Sequence, residues 1–131
     1  MEVVGENVAQ ASLSLLVLRA SDLEKALAFY QAVGLAFTQE QHGSGPVHYS
    51  CAIGGTVMEI YPGEPGTAPE RKSGGATMLG FNVPALDETL KALADLGYTP
   101  ITAPKDSAWG RRAIVTDPDG RAVEISEPKH P

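Results

Sequence analysis

Hydrophobic and polar positions alternate on both sides of a tight turn near the end of the chain. Residues 113–116 and 122–125 are short runs rich in β-branched residues, separated by an Asp-Pro-Asp-Gly segment at 117–120. The proline fixes its own φ, the aspartates can bond nearby backbone N–H groups and the glycine accepts positive φ. This pattern therefore predicts a β-hairpin. If Val123 and Ile125 face one side of the second strand, Glu124 faces the other.

The pattern that ends in this strand occurs twice in the chain. The segment 55–60 repeats 120–125, with Glu-Ile beginning four residues after a glycine in both copies. Further upstream, Leu23, Leu27 and Gly34 recur at the same spacing as Leu86, Leu90 and Gly97. Such repetition predicts two copies of one structural module. It also makes Glu59 the counterpart of Glu124.

The pattern of the first module predicts the order β-α-β-β-β. Ser21 and Glu24 form a capping-box pattern with Ser21 as the helix N-cap, and Gly34 is placed to end the helix in a left-handed cap. A nearly continuous apolar run at 13–18 precedes the helix and predicts a buried strand. The buried helix face is predicted to carry Leu23, Ala26, Leu27 and Tyr30. The later strands are predicted at 35–41, 47–53 and 56–61, with a turn at 42–46.

The second module follows the same order, with Gly97 as the predicted end of its helix. Its strands are predicted at 77–83, 98–102, 112–116 and 121–126, and its buried helix face at Leu86, Leu90, Leu93 and Ala94. We expect a loose arm at 1–11 and a polar tail at 127–131. The sequence thus predicts an α+β fold in a single domain, 1–131, whose two paired modules form a curled sheet around a central cleft. Module one spans about 12–61, a Pro/Gly-rich linker 62–76 and module two 77–127.

Composition and charge narrow the classes of function. The chain has 131 residues, 43% of them hydrophobic, with a formal charge of −6 and a pI of about 4.9. The negative charge argues against nucleic acid or an anionic membrane as a partner. Cys51 is the only cysteine, which excludes an intramolecular disulfide and suits a reducing compartment. No signal peptide or membrane-length apolar stretch is visible, so we expect a soluble cytoplasmic protein.

Several motifs together resemble the vicinal oxygen chelate superfamily. They are the two β-α-β-β-β modules, an Asp-Leu-(x)6-Tyr helix from Asp22 to Tyr30, a Gly-Leu-x-Phe strand start at 34–37 and the Asp-Pro-Asp-Gly-Arg-x-x-Glu-Ile ending. This superfamily contains glyoxalase I, bleomycin- and fosfomycin-resistance proteins, extradiol dioxygenases and methylmalonyl-CoA epimerase. The resemblance covers residues 12–127. It implies the fold more strongly than the reaction, because one scaffold here hosts several chemistries.

The resemblance also implies where a metal would bind. In the metal-using members, each module offers one ligand from its first strand and one from its last. The last-strand positions fall at Glu59 and Glu124, which match the glyoxalase I pattern, but the first-strand positions fall at Leu15 and Met78. Leucine cannot coordinate a metal and thioether sulfur suits soft ions, so we expect no cofactor at this site. A divalent metal ion held weakly by the two glutamates is one alternative, and a metal-free pair of catalytic carboxylates is another.

Two histidines flank the predicted turn of the first module. Glu40 and His42 share a strand face by alternation. If His48 faces the same cavity, His42, His48 and Glu59 would form a His/His/Glu group, either a displaced metal site or an acid–base pair. The simpler interpretations are that the two histidines lie at an exposed turn and either bind a ligand or have no functional role.

Five further residues are candidates for ligand binding. Arg19 resembles an arginine that glyoxalase I directs at a glutathione carboxylate, and a surface arginine at a strand end explains it equally well. Trp109 and Arg112 could stack on and pair with an anionic or aromatic ligand, whereas the alternative is a surface loop with one anchoring tryptophan. Tyr49 and Tyr61 are candidates to line the cavity.

Two classes of function follow from these features. The first is a glyoxalase/bleomycin-resistance-like protein that binds a small organic molecule in a cleft, with a degenerate metal site. The second is a glyoxalase-like lyase or isomerase that uses Glu59 and Glu124, with or without a metal. The pairing habits of the family imply a homodimer. The sequence does not name the substrate.

Overall fold

The computed structural model describes residues 10–66 and 77–129 of the chain. Within these ranges the chain forms two four-stranded mixed sheets, each with one helix, which confirms the predicted α+β fold. Most of the predicted arm (1–9), most of the predicted linker (67–76) and the last two residues of the predicted tail lie outside the described residues.

Each module has the predicted order of elements. The first contains β1 at Leu15–Ala20, α1 at Leu23–Val33, β2 at Thr38–Glu40, β3 at His48–Ile53 and β4 at Thr56–Pro62. The second contains β5 at Met78–Asn82, α2 at Leu86–Asp95, β6 at Thr102–Ser107, β7 at Gly110–Thr116 and β8 at Ala122–Pro128. Neither described helix has the length and apolar character that a membrane span requires.

In both sheets the first strand of the module lies beside the last. The strand orders are β1-β4-β3-β2 and β5-β8-β7-β6, with parallel pairing in β1–β4 and β5–β8 and antiparallel pairing elsewhere. Strands β4 and β8 therefore have a hydrogen-bonded neighbour on each side. Their central residues, Glu59 and Glu124, lie in the interior of a sheet rather than at an edge.

One face of each sheet packs against the helices and contributes to a shared core. Phe29 of α1 and Leu93 of α2 belong to this core and are fully buried. The inward residues of β4 and β8 are at most 1% exposed, and they are Met58, Ile60, Val123 and Ile125. Burying each such side chain contributes roughly 1.5–3 kcal/mol. Because side chains alternate along a strand, the glutamates between these residues point to the opposite face, as the sequence pattern predicts.

Helix α1 begins differently from the capping-box prediction. Asp22, not Ser21, is the N-cap, and its carboxylate accepts a hydrogen bond from the Lys25 N–H at 3.0 Å. The Ser21 hydroxyl instead donates to Oδ1 of Asp119 in the second module at 2.5 Å. A hydrogen bond to a charged carboxylate is stronger than one between neutral groups. The Ser21 hydroxyl therefore contributes to the contact between the two modules instead of capping the helix. Gly34 ends the helix with φ 118°, as predicted.

Strand β6 lies further along the chain than the predicted 98–102. The N–H of Tyr98 donates to the carbonyl of Leu93 at 2.9 Å, so Tyr98 belongs to the end of α2. Pro104 lies within β6, which is an edge strand with an irregular register. An edge strand tolerates proline because one side of it makes no ladder hydrogen bonds. The strand prediction was wrong here because a segment with proline and charges does not resemble a paired strand.

Helix α2 buries Leu86 and Leu93 as predicted, but Ala94 is exposed, so the predicted buried face was too wide. Gly97 follows the helix with φ 98°, which confirms it as the stop. At the start of α2, the Leu86 N–H donates a hydrogen bond to Oε1 of Glu127 at 2.8 Å. The prediction that a polar tail begins at residue 127 is therefore wrong. Glu127 belongs to β8, and its side chain caps the start of α2.

The Asp-Pro-Asp-Gly turn of the second module is held against helix α1 of the first. Asp117 is 3% exposed, and its Oδ2 accepts hydrogen bonds from the Tyr30 hydroxyl at 2.6 Å and from Arg121 Nη1 at 3.0 Å. Its Oδ1 accepts from the backbone N–H groups of Asp119 and Arg121, and Gly120 takes φ 88°. The turn thus has the predicted internal bonds. We call Tyr30, Asp117 and Arg121 the Asp117 junction.

The Asp117 junction keeps the Tyr30 hydroxyl protonated. Burial, together with the negative charge of Asp117 and the hydrogen bond to it, raises the pKa of Tyr30 far above its ordinary value. The guanidinium of Arg121 acts in the opposite direction and is outweighed. A neutral hydroxyl that donates to a buried carboxylate therefore links the first helix to the last hairpin.

Candidate functional site

The open face of the first sheet, opposite α1, carries a row of side chains with one from each strand. We call Arg19, Tyr61, His48 and Glu40 the first row. Arg19 is paired with Tyr61 in the register of β1 and β4, and His48 with Glu40 in that of β3 and β2. The rings of His48 and Tyr61 stack at 4.1 Å with an angle of 9°, and the Arg19 guanidinium lies 4.9 Å from the centre of the Tyr61 ring. Strand alternation and register alone place these four groups side by side.

His48 is the buried centre of the first row. It is 1% exposed, and its Nδ1 lies 3.2 Å from the Pro46 carbonyl, which can only accept, so Nδ1 carries the hydrogen. Its Nε2 has no hydrogen-bond partner among the described residues. Two carboxylate oxygens lie near it, Oε1 of Glu40 at 3.4 Å and Oε2 of Glu59 at 3.7 Å. The ring of His42 lies 5.1 Å from that of His48.

The open face of the second sheet, opposite α2, carries an equivalent row. We call Asn82, Ser126, Arg112 and Lys105 the second row. The strand registers pair Asn82 with Ser126, Ser126 with Arg112 and Arg112 with Lys105. The first row therefore carries a guanidinium, two aromatic rings and a carboxylate, whereas the second carries two basic groups and two neutral polar ones.

Glu124 lies next to the second row and is held by it. Its Oε2 accepts a hydrogen bond from Arg112 Nη1 at 2.9 Å, and its Oε1 accepts from the Ser126 hydroxyl at 3.3 Å. Its side chain is 24% exposed, whereas that of Arg112 is 59% exposed. A cation at the mouth of an open site with a carboxylate behind it can pair with an anionic group of a ligand.

An open cavity of about 510 Å³ lies beside this pair. The residues that line it come from the second module, among them Asn82, Trp109, Arg112, Glu124 and Ser126. The volume falls within the range of small-molecule sites. The first row does not line this cavity. The predicted site residues therefore fall into two groups, with Trp109, Arg112 and Glu124 at the cavity and Arg19, His48, Tyr61 and Glu59 on the first sheet.

The rim of the cavity depends on a close backbone approach at Gly110. This residue has φ 141°, and a β-carbon there would lie 2.1 Å from the Glu127 carbonyl oxygen. The neighbouring Trp109 carbonyl accepts a hydrogen bond from the Lys129 N–H at 3.0 Å. Trp109 itself is 83% exposed, so its ring is available at the cavity edge.

The donors that the family uses for a metal do not fit here. Glu59 and Glu124 occupy equivalent central positions but lie in different sheets. Their partners across the parallel strand pairs are Val17 and Gly80, and the implied first-strand positions on the same faces are Leu15 and Met78. None of these four side chains offers a nitrogen or oxygen donor. A hard cation would find only carboxylates at this position, so the four-ligand site of the family is incomplete in this chain.

Tyr49 is placed differently from the prediction. It lies opposite Ile60, a core residue, and its hydroxyl donates to Gln39 Oε1 at 3.4 Å. Tyr49 therefore faces away from Glu59 and does not line the open face, because the register of β3 assigns that face to His48 and Ser50.

Four residues of the two rows were missed as site candidates from the sequence, and they are Glu40, Asn82, Lys105 and Ser126. Asn82 and Ser126 line the cavity, and Glu40 approaches His48. The internal repeat contained the signal for Asn82, since this residue occupies the same place in its module as Arg19 does in the first. Ser126 follows two residues after Glu124, and so shares its strand face.

Comparison with known proteins agrees with this architecture. No protein of curated function matches the chain. Among solved structures, TnmS3, an antibiotic binding protein from Streptomyces sp. CB03234, is 26% identical, with a TM-score of 0.67 over 93% of this chain and 99% of that one. A glyoxalase/bleomycin resistance protein from the same Streptomyces strain is 27% identical, with a TM-score of 0.63 over 88% and 100%.

A glyoxalase/bleomycin resistance protein/dioxygenase family enzyme from Burkholderia phytofirmans PsJN shows the same fold at 20% identity, with a TM-score of 0.69 over 91% of this chain and 100% of that one. At the level of sequence, the profile of one superfamily matches residues 12–125. This range includes both glutamates, the whole first row and all of the second row except Ser126. The chain therefore belongs to the Glyoxalase/Bleomycin resistance protein/Dioxygenase superfamily.

Proposed function

We propose that this protein binds a small organic molecule with an aromatic part and an anionic part, and that its family metal position is degenerate. The observation that carries the proposal is apolar exposure on the two open faces. Leu15 and Met78 are 52% and 49% exposed, and Val17 and Val57 are 37% exposed each. Apolar side chains gathered on a concave sheet, and rimmed by charged groups, are typical of a surface that a ligand or partner covers.

The comparison with TnmS3 supports the same class of function. That protein is described as antibiotic binding, and its length is matched almost completely. The cavity beside Arg112 has a cation for an anionic group and an exposed indole for an aromatic one. We extend binding of a small organic molecule to this chain on these grounds.

We further propose that the protein acts as a homodimer in the cytoplasm, as a single domain with module one at 12–61 and module two at 77–127. The first row and the cavity lie on different sheets. A second copy that sets its first-sheet open face over the second-sheet open face would bring Glu59 towards Glu124 and cover Leu15 and Met78. The charge of −6 disfavours nucleic acid and anionic membranes as alternative partners.

Binding and assembly can be tested on the purified chain. Fluorescence of Trp109, the only tryptophan, should be quenched by anilinonaphthalene sulfonate, which has an aromatic part and an anionic sulfonate. Leu15→Gln should weaken this binding, whereas Leu96→Gln, at a residue 47% exposed at the end of α2, is the matched control. Sedimentation should give a mass of twice 13.7 kDa. A monomer that does not bind anilinonaphthalene sulfonate would contradict the proposal.

The second candidate is a glyoxalase-like lyase or isomerase, favoured by one contact. His48 Nε2 lies 3.7 Å from Glu59 Oε2, and a carboxylate beside an imidazole is a familiar acid–base unit. The same chemistry needs an electrophile to stabilise the developing oxyanion, a contribution of about 10²–10³ in rate for a single donor. We expect conversion of the methylglyoxal–glutathione hemithioacetal at background level. Robust turnover that Glu124→Gln abolishes would favour the enzyme.

A further inference from the structure

We propose that Glu40, His42 and His48 form a binding site for a first-row transition-metal ion of the Zn²⁺ type, apart from the family position. One donor atom from each of the three residues lies within 4.8 Å of the others. Glu40 lies in the edge strand β2, His48 in the neighbouring strand β3, and His42 in the turn that follows β2. The site is built within one module and does not need the second sheet.

The hydrogen bond at Nδ1 of His48 determines that Nε2 is the ring nitrogen able to bind a metal ion. Because the Pro46 carbonyl accepts from Nδ1, the neutral ring of His48 presents a lone pair at Nε2. That lone pair is buried, has no partner among the described residues and is directed towards two carboxylates, at 3.4 Å and 3.7 Å. Facing electron pairs of this kind repel one another, and the repulsion is relieved when a cation, either a proton or a metal ion, lies between them.

The arrangement around His48 is the one that metal-binding histidines use. Such histidines donate their second ring N–H to a backbone carbonyl or carboxylate, which fixes the tautomer and the ring orientation. Stacking on Tyr61 at 4.1 Å holds the plane of the His48 ring as well. The orientation of His48 is thus set by two contacts that leave Nε2 free.

The distances between the donor atoms of Glu40, His42 and His48 are close to those of a tetrahedral metal site. In a tetrahedral site with bonds of about 2.0–2.2 Å, neighbouring donor atoms are roughly 3.4 Å apart. Glu40 Oε1 lies 3.4 Å from His48 Nε2 and 4.0 Å from His42 Nε2. The side chain of His42 is 74% exposed on the turn before Gly43, so it is free to move inward. Glu59 or water would take the fourth place.

Two imidazoles and a carboxylate select the class of metal. Imidazole suits Zn²⁺, Co²⁺, Ni²⁺ and Cu²⁺, whereas Mg²⁺ and Ca²⁺ prefer oxygen ligands. The proposed set therefore favours Zn²⁺ over Mg²⁺. The proposed site uses different residues from the metal position of the family, and it does not need Glu124.

The test is a titration of the full chain, freed of metal by chelation, with Zn²⁺ alone and then with Mg²⁺. Calorimetry should show one Zn²⁺ per chain, and Co²⁺ should give the visible absorption of a tetrahedral nitrogen-containing site. His42→Ala and Glu40→Gln change exposed or half-exposed side chains and should each weaken Zn²⁺ binding by about tenfold or more. Glu24→Gln, in the first turn of α1, is the matched carboxylate control and should bind like the unaltered chain.

Three outcomes would overturn the proposal. They are the absence of stoichiometric Zn²⁺ binding, Zn²⁺ binding that neither His42→Ala nor Glu40→Gln weakens, and equal affinity for Mg²⁺. Binding that Glu124→Gln abolishes while His42→Ala leaves it intact would instead assign the ion to the family position. Circular dichroism separates loss of the site from loss of the fold in each variant. None of these results depends on whether the chain binds an organic ligand.

Discussion

His48 and Arg112 occupy equivalent positions in the two sheets, and each approaches the glutamate of its own sheet. Both precede by two residues the position that lies opposite that glutamate, Ser50 for Glu59 and Ile114 for Glu124. The distances are 3.7 Å for His48 and Glu59 and 2.9 Å for Arg112 and Glu124. The imidazole is buried and the guanidinium is 59% exposed. In the duplicated strand pattern, Glu59 therefore lies near an imidazole nitrogen that can bind a metal, whereas Glu124 pairs with a guanidinium that is always charged.

Replacing Arg112 should affect ligand binding much more than stability. The Arg112 side chain is 59% exposed, so Arg112→Gln should change the free energy of unfolding by at most about 1 kcal/mol. Loss of a charge-assisted hydrogen bond should weaken binding of anilinonaphthalene sulfonate by about tenfold or more. Trp109 fluorescence measures the affinity and urea denaturation the stability. Lys91→Gln, at an exposed pair 3.5 Å from Asp95, is the control and should leave the affinity unchanged.

The family metal position should be restorable by two substitutions. Leu15→His with Met78→His adds one imidazole to each open face, next to Glu59 and Glu124. In a dimer that brings the faces together, four nitrogen and oxygen donors would converge and bind Zn²⁺. The pair should be made in the His42→Ala background, so that the proposed Glu40/His42/His48 site does not contribute to the calorimetric signal. If no additional Zn²⁺ binds, the two faces do not meet as proposed.

Removing the carboxylate of the Asp117 junction should destabilise the protein strongly. Asp117→Ala leaves the guanidinium of Arg121 and the hydroxyl of Tyr30 buried without their acceptor. The free energy of unfolding should fall by about 3–5 kcal/mol, as measured by urea denaturation. Asp106→Ala is the matched control, because its carboxylate is 82% exposed and pairs with Arg111 at the surface. A loss for Asp117→Ala no larger than that of the control would show that the junction contributes little.

The junction also predicts a loss of stability in alkali. Tyrosine in the unfolded chain loses its proton near pH 10, and the pKa of folded Tyr30 is raised well above that value. Below pH 10 the group is protonated in both states and its contribution is complete. Above pH 10 unfolding releases a proton, so the free energy of unfolding should fall by about 1.4 kcal/mol per pH unit.

Urea denaturation between pH 9 and 11.5 measures this slope. Tyr30→Phe should flatten it by about that amount, whereas Tyr49→Phe, whose hydroxyl lies near Gln39 at the surface, should keep the slope of the unaltered chain. Equal slopes in all three proteins would mean that another group controls the alkaline transition. Because each comparison is of slopes, the loss of the hydrogen bond in Tyr30→Phe does not enter it.

The elements that could be predicted from the sequence are those set by local patterns. Alternation around Glu59 and Glu124, the glycines that end both helices and the Asp-Pro-Asp-Gly turn are all local, and the structure has them. The start of α1 was mispredicted because Ser21 bonds to Asp119, a residue of the other module. Register between strands is likewise non-local, and it decides that Tyr49 faces away and that Glu40 faces His48.

The Asp117 junction makes the two halves of the repeat depend on each other. A fragment that ends after β4 would retain the Tyr30 hydroxyl without its acceptor, and a fragment that begins at β5 would retain the buried carboxylate without one of its donors. The shared core would also be cut between α1 and α2. Neither fragment should fold alone, and the two should regain structure when mixed. The two halves of the repeat should therefore fold as one cooperative unit, because each half supplies contacts that the other lacks.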